Sequence, residues 1–263
     1  MDAKEANASS SIRLSASSSS SMSALPRGLR LLPGFISATE EQQLLELFEA
    51  GQWQGDGQKQ RQVQQYGGAV YDYKAHRVST ATTTSPPLPR LLVSLVGDRL
   101  VSAGIVERLP DHVFVNKYVH HQGIAAHVDS RDFGGTIVSL SLGSVAALVY
   151  RRVPQPDITT SSLPLSAPPA AVGDVRESDD TVVVQLEPRT LLVMSDESRY
   201  GWTHEIPFAK VFRWTDRSGQ RRELRRPRDY RRLAVTMRHV PLPSGHEMTR
   251  TGAEQVTEGD EAA

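Results

Sequence analysis

His127 and Asp129 stand two positions apart at the end of the stretch VNKYVHHQGIAAHVD, Val115 to Asp129. In an extended chain the side-chain period is two, so this imidazole and this carboxylate would share one face. A second histidine from elsewhere would complete a trio of two imidazoles and one carboxylate. Such a trio holds Fe(II) and leaves positions open for a co-substrate and O2. His204, in LLVMSDESRYGWTHEI, follows a predicted strand and is the candidate for that second histidine. The same H-x-D pair fits a surface histidine beside a turn aspartate, and a lone histidine is more often structural. The neighbouring runs decide between them.

The last apolar run, RLAVTMRHV, carries Arg232 and Arg238 six apart, with Ala234 and Thr236 between them. Period two puts all four on one face. Arginines on the inner face of an apolar strand are costly unless paired, and a dicarboxylate offers a bidentate partner. Asn116 and Tyr118, two apart in an earlier run, can hydrogen-bond a bound carboxylate.

Two further groups suggest nucleic acid. Arg213 to Arg232 holds nine arginines against Asp216, Glu223 and Asp229, and its RSGQ centre reads as a hairpin turn. Arg221, Arg222, Arg225 and Arg226 are the candidates to neutralise phosphates; a charge run is equally well a solvated face. Trp53 to Val78, with Tyr66, Tyr71 and Tyr73 around Gly67-Gly68 and Arg61 just before them, reads as two short strands about a glycine turn. The tyrosines could stack on an extruded base or be half-buried strand residues.

These groups need a frame. Ser37 reads as a helix N-cap, with Glu40 completing a capping box and Leu44, Leu45, Leu47 and Phe48 as the apolar stripe. Pro89 opens a second helix, with Leu91, Leu92, Leu95, Val96, Leu100 and Val101 as its core face. Short strands then follow over His112–Val119, Thr136–Leu142, Ala146–Val153, Thr181–Glu187, Thr190–Met194 and Leu233–Val240. Helices first and strands after predict an α+β domain with a double-stranded β-helix (jelly-roll) core and helices packed on one side. The domain is expected over 25–243 between a disordered Ser-rich tail, 1–24, and a polar tail, 244–263. Two insertions are expected within it: a disordered one with five prolines at 154–180, and the basic hairpin at 213–231.

N-x-Y, H-x-D nine positions on, a distal histidine after ESR, then R-x-x-x-T-x-R resembles the AlkB family of Fe(II)/2-oxoglutarate dioxygenases. VQQYGGAVYDY, IVSLSLGS and PRTLLVMSDESRYGWTHEI resemble its tRNA wobble-uridine hydroxylase branch. The resemblance implies that His127, Asp129 and His204 bind Fe(II). It also implies that Arg232 pairs with the distal carboxylate of 2-oxoglutarate, while Asn116, Tyr118 and Arg238 hold the co-substrate elsewhere. Ala234 departs from the bacterial repair enzymes, which carry asparagine there. The implied reaction is hydroxylation of 5-methoxycarbonylmethyluridine in tRNA, with a methyltransferase partner supplying the substrate. One rival is oxidative demethylation of alkylated bases in RNA or DNA. Another is a non-catalytic RNA-binding module.

Composition sets the outer bounds. The 263 residues contain no cysteine, which excludes disulfides and cysteine-ligated zinc. Lys+Arg and Asp+Glu are 30 each, so net charge does not select a partner. No apolar run approaches the ~20 residues of a bilayer span. Asp2 and Glu5 argue against a secretory signal, though the serine-rich Ser9–Ser23 leaves a transit peptide open. A cytoplasmic or nuclear protein is the expectation.

Overall fold

Ser37 caps a helix, as its position before an apolar stripe predicts. In a computed structural model, which describes residues 25–57, 60–68, 70–72, 77–79, 85–154 and 174–240, that helix is α1 (Ala38–Glu49). The Glu40 N–H donates to Ser37 Oγ at 3.2 Å and the Ser37 N–H donates to Glu40 Oε2 at 2.7 Å. Both predicted tails, and Tyr73, lie outside the described residues. A second helical run comprises α2 (Arg90–Leu92), a π-helical turn (Val93–Gly97) and α3 (Asp98–Ser102). It buries Leu92, Val96 and Leu100, whereas Val101, expected in the core, is exposed. One residue beyond Leu100 is about 100° around the helix, which turns Val101 off the buried face.

The described residues form fifteen strands, in chain order β1 (Leu29–Leu32), β2 (Gln62–Tyr66), β3 (Val70–Asp72), β4 (Arg77–Ser79), β5 (His112–Val119), β6 (Ile124–His127), β7 (Ile137–Gly143), β8 (Ala146–Arg152), β9 (Val175–Arg176), β10 (Thr181–Leu186), β11 (Leu191–Met194), β12 (Trp202–Ile206), β13 (Val211–Thr215), β14 (Arg221–Arg225) and β15 (Arg231–Arg238). A last short helix, α4 (Asp196–Tyr200), links β11 to β12. Six strands form one sheet in the order β1-β11-β7-β15-β5-β2, and four form a second, β10-β8-β12-β6. The period-two pattern divides the larger sheet. Leu233, Val235 and Met237 of β15 join Val113, Val115, Val138 and Leu140 against the helices, packing on Leu44, Phe48, Val96 and Leu100. The opposite face, with Tyr118, Leu192 and Ala234, packs on Leu148, Tyr150 and Leu186 of the smaller sheet. This is the expected jelly-roll sandwich with helices on one side.

Glu41 fastens α1 to that sheet. It is buried, and its carboxylate accepts from the Gly143 N–H at 2.8 Å and from Arg189 at 2.7 Å. Glu41→Ala strands a backbone donor and should lower unfolding free energy by about 1–3 kcal/mol. Urea denaturation checks this; a change within ~0.5 kcal/mol, typical of a surface site, would contradict it.

Three expectations need correction. Gly67-Gly68 do not turn two strands onto each other: β2 pairs with β5 at the edge of the large sheet, and β3 pairs with β4. The interruption predicted at 154–180 ends early, because β9 already pairs in parallel with β13. His127 ends β6, so Asp129 lies beyond the strand that was expected to carry both. The basic hairpin does form, as β13 and β14 about a turn that Asp216 closes by accepting from the Ser218 and Gln220 N–H groups. Among the described residues, no helix is long and apolar enough to cross a membrane.

Candidate active site

The smaller sheet brings the two histidines together. In its antiparallel register His204 of β12 lies directly across from His127 of β6, and the ring centroids are 4.3 Å apart. His127 Nδ1 is 2.8 Å from the Ala125 carbonyl oxygen, which makes Nδ1 the protonated nitrogen and leaves the Nε2 lone pair free. Burial lowers the pKa of both rings, and that of His204 falls to about 3. Both are neutral imidazoles, the form that ligates metal.

Asp129 reaches the histidines from the loop after β6. One of its oxygens is 3.7 Å from His204 Nε2 and the other accepts from Arg238 at 2.8 Å. Burial pushes its carboxyl up, but the positive charge around it, Arg238 foremost, outweighs this and holds it below the ordinary carboxylate range. Among the described residues, no three donors close around one point in a finished metal geometry. The trio shares one cavity wall, with Asp129 divided between His204 and Arg238.

Arg199 fixes the loop that carries Asp129. This buried guanidinium, on α4, donates to the carbonyl oxygens of Asp129 at 2.8 Å and Ser130 at 2.5 Å. The sequence reading passed over Arg199; its place in ESR, before the distal histidine, was the available signal.

The cavity measures about 380 Å3, toward the small end of the ~300–1,000 Å3 usual for small-molecule sites. From the large sheet, β15 contributes Arg232, Ala234, Thr236 and Arg238, and β5 contributes Asn116 and Tyr118, as the period-two reading predicts. Arg232 is 1% exposed and donates to Ser141 Oγ at 2.8 Å. Among the described residues its Nε and Nη1 have no hydrogen-bond partner. A buried guanidinium left that way is costly, and a carboxylate is the group whose geometry matches it. Neutral imidazoles, a deprotonated carboxylate and this guanidinium fit iron and a dicarboxylate co-substrate.

The expected nucleic-acid residues separate. Arg61 does line the cavity, and its Nε donates to Asn116 Oδ1 at 2.7 Å. Tyr66 is a packing residue: its ring lies 6.3 Å from that of Phe48 and its hydroxyl donates to Gln64. It is partly buried, packed against the core on the helix-covered face. Tyr71 lies in β3, and Tyr73 is among the residues not described. Arg226 is also structural, donating to Gln122 O at 2.6 Å and Pro207 O at 3.0 Å with its guanidinium over the Tyr230 ring. Arg221, Arg222 and Arg225 are exposed on β14, but each faces an acid: Asp174, Asp216 and Glu223 respectively. That pairing reduces the charge offered to phosphate.

The family model described as the 2OG-Fe(II) oxygenase superfamily matches residues 28–238. The chain belongs to that superfamily. Its members use Fe(II), 2-oxoglutarate and O2, so the enzyme class is dioxygenase. The AlkB-type resemblance holds. The mouse tRNA (carboxymethyluridine(34)-5-O)-methyltransferase ALKBH8 is 32% identical over 70% of this chain and 25% of its own length. The Arabidopsis thaliana alkylated DNA repair protein ALKBH8 homolog is 31% identical over 81% of this chain and 58% of its own. The chain therefore spans about a quarter of the first relative and less than two thirds of the second. The solved structure of OsALKBH1 superposes with a TM-score of 0.53 at 19% identity, covering 82% of this chain and 97% of that one. At that identity the likeness speaks to fold alone.

A buried group beside the cavity carries a separate prediction. His112 is fully buried, neither ring nitrogen has a hydrogen-bond partner among the described residues, and burial, aided by Arg238, lowers its pKa to about 4. An unfolded histidine titrates near ~6.5, so as pH falls below that the unfolded chain takes up a proton that the folded chain refuses. His112 thus favours folding above about pH 6.5, and this contribution is lost toward pH 4. His112→Leu should reduce the stability lost between about pH 7 and pH 5 by on the order of 2 kcal/mol. Urea midpoints across that range test it; an unchanged slope would contradict it.

Proposed function

We propose that the chain is an Fe(II)/2-oxoglutarate dioxygenase that hydroxylates a modified wobble uridine, 5-methoxycarbonylmethyluridine, in tRNA. The observation that carries the chemistry is Arg232, buried with unpartnered guanidinium nitrogens on the cavity that also holds His127, Asp129 and His204. The substrate rests on the AlkB-type family and on two relatives, one with tRNA carboxymethyluridine in its name.

In this reading His127, Asp129 and His204 would hold Fe(II), and Arg232 the distal carboxylate of 2-oxoglutarate. The chemistry such a group supplies when bound is oxidation of a C–H bond to an alcohol, with 2-oxoglutarate decarboxylated to succinate. The chain's own contribution is placement. Arg238 orients the Asp129 carboxylate through one nitrogen, and its Nε, without a partner among the described residues, remains for the co-substrate. Asn116, held by Arg61, and Tyr118 line the same end of the cavity. Leu148, Leu186, Leu192 and Met194 supply apolar walls that exclude water around the target carbon.

The Arabidopsis relative, named as an alkylated DNA repair protein, favours a second reading: removal of N-methyl groups from bases. The products distinguish the two. An alcohol on a carbon-bound substituent persists, whereas one on an N-methyl carbon releases formaldehyde. Incubation with Fe(II), 2-oxoglutarate and tRNA bearing the modified uridine should yield a hydroxylated nucleoside and succinate without formaldehyde. Formaldehyde from methylated-base oligonucleotides, with the tRNA untouched, would overturn the substrate. No succinate with any of these would overturn the chemistry, and the non-catalytic RNA-binding alternative would then gain.

A further inference from the structure

Four large apolar side chains among the described residues are exposed: Val101, Leu109, Tyr200 and Phe208. Phe208 is the most exposed, at 47%, and it alone of the four lines the active-site cavity. An exposed aromatic ring that lines a cavity is unfavourable in water unless something covers it. We propose that Phe208 is the stacking platform for the nucleobase that enters the cavity. This rests on the nucleic-acid reading above and adds the residue that would grip the base.

The backbone under Phe208 is fixed from two sides. Arg226 ties Pro207 O, at 3.0 Å, to Gln122 O, at 2.6 Å, and so binds the turn after β12 to the turn before β6. Gly123 lets those turns meet, because a Cβ there would lie 2.2 Å from Ile206 O and 3.0 Å from the Phe208 nitrogen. Two backbones that close leave the Phe208 shelf little freedom to drift. A side chain carried on backbone that is already fixed has less freedom to lose on stacking. Arg226 therefore serves substrate binding through Phe208, as a positioning residue and not as a phosphate contact. The target base, extruded as enzymes acting on bases require, is sequence-tolerantly gripped through its π face.

The test is a binding cycle with the full chain, loaded with Fe(II) and 2-oxoglutarate without O2. The probes are a single-stranded RNA bearing 5-methoxycarbonylmethyluridine and the same RNA abasic at that position. Stacking on an aromatic side chain is worth ~1–3 kcal/mol per base, so Phe208→Ala should weaken the first RNA about 5- to 150-fold. It should leave the abasic RNA unchanged, and Phe208→Trp should restore binding. The site is exposed, so an unchanged melting temperature is expected for both variants. Equal weakening of both RNAs would make Phe208 a general surface contact and overturn the proposal. No weakening at all would also overturn it. Wild-type protein that binds the two RNAs equally would likewise overturn the proposal, whereas wild-type protein that binds neither would overturn it together with the nucleic-acid reading, which separates that failure from the others.

Discussion

Arg232→Met is expected to abolish productive 2-oxoglutarate binding without unfolding the protein. The side chain is 1% exposed, and only one of its guanidinium nitrogens has a hydrogen-bond partner, Ser141 Oγ, among the described residues. Truncating one member of a buried, hydrogen-bonded charge pair costs ~2–5 kcal/mol of binding, about 30-fold or more in affinity. Removing an uncompensated buried charge from the free protein works in the other direction. Replacement by an apolar side chain of similar volume is neutral or stabilising by ~1–4 kcal/mol. The KM for 2-oxoglutarate should therefore rise at least 30-fold or so while the melting temperature holds or increases. Arg232→Lys should fall between, since an ammonium is a point charge that lacks the planar fork. Loss of stability with unchanged KM would make Arg232 a structural residue.

The second large effect separates two members of the trio. Asp129→Ala removes the partner of Arg238, 2.8 Å away and itself largely buried. Breaking a buried ion pair on one side destabilises by ~3–5 kcal/mol, so this variant should lose metal binding and stability together. His127→Ala removes a neutral ring whose only described hydrogen bond is local, to Ala125 O. It should lose metal with a much smaller change in stability. In both, activity should drop by more than the roughly 10- to 100-fold that changes in the supporting shell produce. Fe(II)-dependent succinate formation and urea unfolding, read side by side, check the contrast. Equal destabilisation by both variants would contradict the pairing of Asp129 with Arg238.

What the sequence disclosed follows the range of the interactions involved. Alternation along β15 is local, so Arg232, Ala234, Thr236 and Arg238 were legible as one face before any fold was known. The capping box at Ser37 is equally local. His204 opposite His127 is not, because it depends on the register of β12 against β6, which no short-range pattern specifies. Period two along a strand put His127 and Asp129 on one face, but the strand stops at His127, and Asp129 is held beside it by contacts from Arg199 and Arg238. Residue type also misled. Tyr66 and Arg226 have the chemistry of a nucleic-acid contact, but their own neighbours in the fold use it. Phe208 was missed because a single aromatic after a proline carries no periodicity; only its exposure at the cavity edge marks it.

The most direct measurement is an anaerobic equilibrium titration of the full chain with Fe(II), followed by 2-oxoglutarate. The proposed site predicts one Fe(II) per chain and one 2-oxoglutarate that binds tightly only once iron is present. His127→Ala should abolish both events, and Arg232→Met only the second. Iron binding that survives His127→Ala, or 2-oxoglutarate binding indifferent to Arg232, would contradict the assignment of this cavity.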